Sequence, residues 1–290
     1  MISSTIFRFT IYSIFAILFV YIIFMIGTPI GIEIPEHMLL RKDAKLPKKL
    51  LRFYKGQVEE RQYWLKKVLF SANSSDGYSW LYNNLVPEVL CPQLVRVGTT
   101  NQGGKWICNP WRLPDKCTIL SLGLHEETSF EKDLQQMIQQ RCRVLGFDKN
   151  TPSNLTRIQF LDMNGSAERA EVSKYTNEEK GRYTIGDLLE ERDISMVEIL
   201  KMDEEGGELT TLLPFLEQNT VSQLLVKVYA SADQMLGMVV RLSDLGYWLF
   251  HNNIDSKGYG ACEFSFVHET AFRRYGVKIL AQYLKIWNRT

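Results

Sequence analysis

From Cys117 to His268 the chain alternates short apolar runs with helical stretches, and this alternation limits its fold more than any other feature. Seven runs have strand length: 117–123, 142–148, 157–163, 196–203, 222–229, 247–253 and 262–268. Most of the early ones are separated by segments whose apolar residues recur at helical spacing. In 129–140, Phe130, Leu134, Met137 and Ile138 share one face, and Ser129 can cap the helix. Helices are also expected at 184–192, where Thr184 and Asp187 form a capping pair, at 207–218, and at 231–246 between Ser231 and Gly246. No helix separates the last two runs, which read as an antiparallel pair. Strand–helix repeats demand a parallel sheet covered on both faces. The first, second, fourth and fifth runs are nearly continuous apolar residues, as such burial requires. The fold class is therefore α/β, a Rossmann-like doubly wound seven-stranded sheet with one antiparallel strand. A TIM barrel would need eight repeats.

Ahead of this region, residues 9–26 (FTIYSIFAILFVYIIFMI) carry no charge and extend weakly to Ile30. That is about the length needed to cross a bilayer core, and no small-x-small cleavage site follows. The expected organisation is a tail at 1–8, a single transmembrane signal-anchor at 9–30, a stem at 31–58 and an α/β domain at 59–290. Within 47–70, apolar residues at helical spacing predict one amphipathic helix, packed on the domain or, as a basic helix, resting on a membrane surface. Lys/Arg positions around the anchor lean towards a cytoplasmic C-terminus. Four N-x-S/T sequons, at Asn73, Asn154, Asn164 and Asn288, lean the other way, towards a luminal domain in the secretory pathway.

A formal net charge of +1 excludes a general nucleic-acid binder, which needs a basic excess or stripe. Five cysteines without a C-x-x-C spacing exclude a zinc knuckle, and no metal site is expected. Cys91 with Cys108, or Cys108 with Cys117, can form a disulfide; Cys142 and Cys262 read as buried thiols. An odd count leaves at least one cysteine free or bonded to another chain. The oligomeric state is not encoded in any pattern here.

In a doubly wound sheet, ligands bind beyond the C-terminal ends of the strands. The first run ends at Ser121-Leu122-Gly123, where Gly123 permits close backbone approach. The loop that follows, 124–129, is acidic and ill suited to a pyrophosphate. The second ends at Phe147-Asp148, twenty-five residues after Gly123, about the spacing that places a carboxylate on ribose hydroxyls. An acidic loop beside a ribose acid fits a cofactor without phosphates, and S-adenosylmethionine, with its positive sulfonium, is one. Asp162, ending the third run, can accept from an adenine amino group or make an Asx turn. The fourth ends in Lys201-Met-Asp203-Glu-Glu205-Gly-Gly-Glu208. There Asp203 and Glu205 can face the transferred group with Lys201 tuning their charge, or Lys201 and Glu205 can form a plain salt bridge. His125 lies beside Gly123, within reach of a cofactor.

Residues 103–280 resemble the FkbM-type methyltransferases, especially their membrane-anchored relatives. The matching pieces are GGKWICNP (103–110), CTILSLG with SFE (117–131), CRVLGFD (142–148), TIGDLL (184–189) and ILKMDEEGGEL (199–209). The last follows the pattern K-x-D-x-E-G-x-E through Lys201, Asp203, Glu205, Gly206 and Glu208. The resemblance implies a class I methyltransferase fold with S-adenosylmethionine as donor. Ser121, Gly123, Glu131, Phe147, Asp148 and Asp162 would then hold the cofactor, and Lys201, Asp203 and Glu205 the reaction edge. The single glycine of the first motif and the Leu124-His125 pair depart from the family pattern. The expected reaction is methyl transfer to an oxygen of a glycan or small acceptor. Two rivals are a catalytically silent binding module and a Golgi-type glycosyltransferase using Asp203-Glu-Glu205 as a metal-binding D-x-E.

Overall fold

The computed structural model describes residues 45–71, 75–100, 102–255 and 258–285. The expected anchor, the first part of the stem and the sequons at Asn73 and Asn288 lie outside them. Among the described residues no helix is long and apolar enough to cross a membrane. Where one helix was expected at 47–70 there are two, α1 (Lys48–Gly56) and α2 (Val58–Val68), parted at Gly56-Gln57. Glycine is among the weakest helix formers, so the break falls where propensity is lowest. α1 buries no residue, whereas α2 inserts Leu65 and Val68 into the core beside α3 (Ser75–Asn84).

Three short strands follow: β1 (Val89–Leu90), β2 (Leu94–Val97) and β3 (Lys105–Cys108). β2 and β3 form an antiparallel hairpin. The main sheet then begins with β4 (Thr118–Leu122), α4 (Ser129–Met137), β5 (Arg143–Asp148), α5 (Asn154–Asp162) and β6 (Gly165–Arg169). A small parallel pair, β7 (Glu171–Val172) with β8 (Arg182–Tyr183), leads to α6 (Ile185–Glu190) and β9 (Val197–Met202). The chain continues through α7 (Glu208–Leu216), β10 (Val221–Tyr229), α8 (Ala232–Asp244), β11 (Tyr247–Ile254) and β12 (Ala261–His268). It closes with α9 (Phe272–Tyr275) and β13 (Lys278–Ile279). The seven-stranded order is β11-β12-β10-β9-β4-β5-β6, and β12 alone runs against its neighbours. Two apolar layers line its faces, one anchored by Leu120, Leu200 and Leu224, the other by Ile119, Ile199 and Leu225. Alternate strand residues point to opposite faces, so a strand buried on both must be apolar throughout.

The expected third strand at 157–163 is instead the end of α5. Ser153 caps it, its hydroxyl accepting from the Thr156 amide, and Thr156 and Phe160, four residues apart, turn inward. Leu155, Ile158 and Leu161 face outward, so apart from Phe160 the large apolar residues of this helix do not mark its buried side. The true strand, β6, reads GSAER: an edge strand needs no apolar run because only part of it is covered.

Glu88, fully buried beside β1, holds the segment at residues 283 and 284. Its Oε1 accepts from the backbone amides of Tyr283 (2.8 Å) and Leu284 (2.9 Å), and β1 pairs with β13. Burial pushes its carboxyl up to about 7, against the lowering effect of these amides.

Two disulfides are present, Cys91–Cys108 and Cys117–Cys142. The first is one of the expected pairings. The second corrects the expectation of a buried Cys142 thiol: Cys117 precedes β4 and Cys142 precedes β5, and parallel pairing brings the two starts together. Cys262 is the buried free thiol. Alkylation of the denatured, unreduced protein is expected to label one cysteine per chain. Cys142→Ser should cost about 3 kcal/mol in denaturant unfolding, as expected for a loop of this length; three labelled cysteines in the native sequence would refute the pairing.

Candidate active site

The C-terminal ends of β4, β9 and β10 meet the hairpin's loop around a cavity of about 310 Å³. Gly123, Leu124 and His125 line it from β4, Lys201, Asp203 and Glu205 from β9, Lys227 and Tyr229 from β10, and Gln102 and Gly103 from the hairpin. Its tightest point is where β4 leaves the sheet. Gly123 has φ +75°, its amide donates to the Phe147 carbonyl at 2.9 Å, and a Cβ there would stand 2.0 Å from the Asp203 carbonyl oxygen. No side chain can occupy that space, which is the physical reason for a glycine here. The Asp203 amide donates to the Leu122 carbonyl, and the His125 ring, through Nε2, bonds the Asp203 carbonyl at 2.8 Å. That bond selects the tautomer protonated at Nε2.

Sheet register sets the charges. Lys201 lies opposite Ser121 on β4, and Lys227 lies opposite Glu263 on β12. Beneath the cavity, the Lys201 ammonium donates to Glu131 Oε1 at 2.7 Å, and the Ser121 hydroxyl donates to the same oxygen at 2.6 Å. Lysine and glutamate here are both almost completely buried. At the cavity wall, Asp203 lies 4.0 Å from the Lys105 ammonium and 3.9 Å from that of Lys227. Lys105 pairs with Glu263, and Lys227 with Asp255 at 2.7 Å. Burial pulls the Lys105 ammonium below its ordinary value, against the raising effect of Glu263 and Asp203. Removing one member of a buried pair costs about 3–5 kcal/mol, so these cations are retained only because each has a partner. Asp203 Oδ1 is buried with no protein partner.

The expected site residues therefore divide. Gly123, Lys201, Asp203 and Glu205 line the cavity. Glu205 is half exposed and pairs with Lys149 at 3.2 Å, so the Lys201–Glu205 bridge does not form. Asp148 ends β5 at the expected place, and its two oxygens accept from the amides of His125 and Asn150, both at 2.8 Å. Ser121 and Glu131 support Lys201 from below. The Phe147 ring is buried in the core under the Arg192 guanidinium, 4.7 Å from the ring centre, and only its carbonyl serves the site. Asp162 is excluded, because a helix joining parallel strands returns antiparallel to them. The end of α5 thus lies at the opposite edge of the sheet. Asp203 and Glu205 face different lysines, which does not suit a metal-holding D-x-E. Among the described residues no group of three or more His, Cys, Asp or Glu is placed to hold a metal ion. Lys105, Lys227 and Tyr229 escaped sequence reading, although a lysine inside the apolar run SQLLVKVY was the visible signal.

Residues 47–268 match the model of a family described as a methyltransferase domain. The chain belongs to that family. Its seven-stranded, mostly parallel sheet is the class I methyltransferase fold, and S-adenosylmethionine is the cofactor. No curated protein matches the chain. Among solved structures it is similar to precorrin-6y C5,15-methyltransferase from Geobacter metallireducens GS-15, at 12% identity and TM-score 0.36, over 55% of this chain and 83% of that one. It is also similar to TrmK of M. capricolum in complex with S-adenosyl-homocysteine, at 10% identity and TM-score 0.33, over 55% and 66%. A third is the O-methyltransferase from Bacillus cereus in complex with S-adenosyl-homocysteine, at 10% identity and TM-score 0.30, over 75% and 99%. The cavity suits a sulfonium ligand: Glu127, Asp203 and Glu205 outnumber Lys201 and Lys227 in its lining, and Gly123 gives a backbone cradle.

Two outcomes follow. Gly123→Ala should cost more than about 2 kcal/mol, from φ strain and overlap with Asp203, and should abolish donor binding by calorimetry. Glu204 is pushed up to about 8, by burial first and then by the nearby Asp148 and Glu208 carboxylates. An acid held protonated by the fold contributes fully below its ordinary value and loses that contribution as pH rises to about 8. Thermal stability should fall across this window, and Glu204→Gln should lessen the fall; an unchanged slope would refute the assignment.

Proposed function

We propose that this protein transfers a methyl group from S-adenosylmethionine to an oxygen of a glycan or small hydroxylated acceptor, as a membrane-anchored, FkbM-type enzyme of the secretory pathway. The observation that carries the reading is Asp203: a cavity-lining carboxylate between two buried lysines, with one oxygen unpartnered, at the contact with Gly123. S-adenosylmethionine supplies an electrophilic methyl group when bound. The chain's own work is positioning, which can account for about 7–11 kcal/mol of a barrier. Gly123 and the loop after β4 cradle the donor, with Asp148 at the ribose side. Asp203 accepts a hydrogen bond from the acceptor hydroxyl and orients it for in-line attack. Lys105 and Lys227 flank Asp203 at 4.0 and 3.9 Å, and Lys201, fixed by Glu131, sets the floor. Glu205 contributes at the rim.

Support for the compartment comes from the two disulfides, which persist in oxidising surroundings, and from exposed sequon asparagines at Asn154 and Asn164. The apolar run at 9–30 supports the anchor. A silent binding module is the second reading, favoured by Asp148, whose oxygens are already engaged by two amides.

Calorimetry of the full chain in mild detergent distinguishes them. S-adenosylmethionine should bind, and Asp148→Ala should weaken binding by about 10- to 100-fold, the worth of a charged hydrogen bond. Asp203→Ala should leave donor affinity within about threefold while removing methyl transfer, by 10²–10⁴-fold if it also takes the proton. A folded sample giving no heat sinks the enzymatic reading.

A further inference from the structure

A second cavity, of about 370 Å³, adjoins the first and shares Gln102 with it. It lies where β11 ends and β12 begins, beside the β2–β3 hairpin, and Trp106, Thr100 and Asn253 line it together with Arg96, Asp255 and Glu263. Its boundary with the donor cavity is the ionic row around Asp203.

The hairpin is firmly mounted. Cys108 is bonded to Cys91, and the Gln223 side chain donates to its carbonyl and accepts from its amide, both at 2.8 Å. The Ser265 hydroxyl holds the Trp106 carbonyl at 3.0 Å. The Trp106 ring stacks on His251, with centres 4.5 Å apart and planes 23° apart. Burial, with Arg96 nearby, lowers the proton affinity of His251 and favours the neutral ring.

Charge decides what such a cavity accepts. Arg96, Lys105 and Lys227 face Asp203, Asp255 and Glu263, three cations against three carboxylates, in contacts of 4.0 Å or less. No net charge remains to attract a phosphate, a carboxylate or an amine, and burying one unpaired would be costly. What remains is hydrogen bonding from amides and a hydroxyl, beside an indole. Those groups recognise a ring with an apolar face and hydroxyl edges.

We infer that this second cavity is the acceptor subsite and takes an uncharged pyranose, packed against Trp106, with one hydroxyl directed to Asp203. The inference rests on the methyltransferase reading above and adds the acceptor's class and seat. The full chain in detergent, with S-adenosylhomocysteine, is titrated with the methyl glycosides of glucose, galactose, mannose and fucose, and with glucuronate as a charged comparator, by saturation-transfer NMR. At least one neutral glycoside should receive saturation, and Trp106→Ala should weaken it by about three- to tenfold, the worth of an aromatic contact. Asn253→Ala should weaken it too, which covers the case in which the tryptophan variant misfolds. S-adenosylmethionine heat should be unchanged in both variants. Donor heat without any glycoside signal overturns this inference alone, as does a signal that persists in both variants or a stronger one from glucuronate. Absence of donor heat overturns the methyltransferase reading, and this inference with it.

Discussion

Everything at the site depends on how closely two parallel strands come together as they end. β4 and β9 are hydrogen-bonded neighbours, and the bond from the Asp203 amide to the Leu122 carbonyl extends the ladder one step beyond β9. That extra step brings the Asp203 carbonyl against Gly123, with no room for a Cβ between them. The loop after β4 is thereby turned aside, and the His125 amide reaches the Asp148 carboxylate while its ring reaches the Asp203 carbonyl. One missing methyl group fixes the separation of the donor cradle from the carboxylate that faces the acceptor.

The second layer of the design is electrostatic. Three lysines lie within the sheet's ends at 5% exposure or less, each a heavy desolvation cost if unpaired. The fold assigns each a carboxylate on a different element: Glu131 on α4, Glu263 on β12, and Asp255 just after β11. Asp203 receives two lysines at longer range and full possession of neither. Glu131 and Glu263 each also keep one oxygen without a hydrogen bond, but of the three only Asp203 lines the donor cavity.

Much of this architecture was legible in the chain. Apolar runs buried on both faces announced β4, β5, β9 and β10, and the absence of a helix between the last two runs announced the reversed β12. The third strand was not legible because α5 shows its apolar residues to solvent and β6, at the sheet edge, is polar. Gly123 and Asp203 could be read from their place at strand ends. Phe147 could not be separated from Asp148 by position alone, since alternation sends one into the core and leaves the other at the rim. The Cys117–Cys142 bond was hidden because each cysteine begins an apolar run, as a buried thiol would. Lys105 and Lys227 are distant in sequence, and only the packing of the β2–β3 hairpin on β10 and β12 makes them neighbours of one carboxylate.

The Glu88 clamp has a consequence for biosynthesis. The amides that satisfy this buried carboxylate belong to residues 283 and 284, almost two hundred positions downstream. During vectorial synthesis, β4 to β6 can pair while Glu88 still lacks its partners, and β1 has no strand to join until β13 emerges. The segment at 283 and 284 thus seals a place opened almost two hundred residues earlier, and a chain stopped short of it would retain a sheet with an open seam.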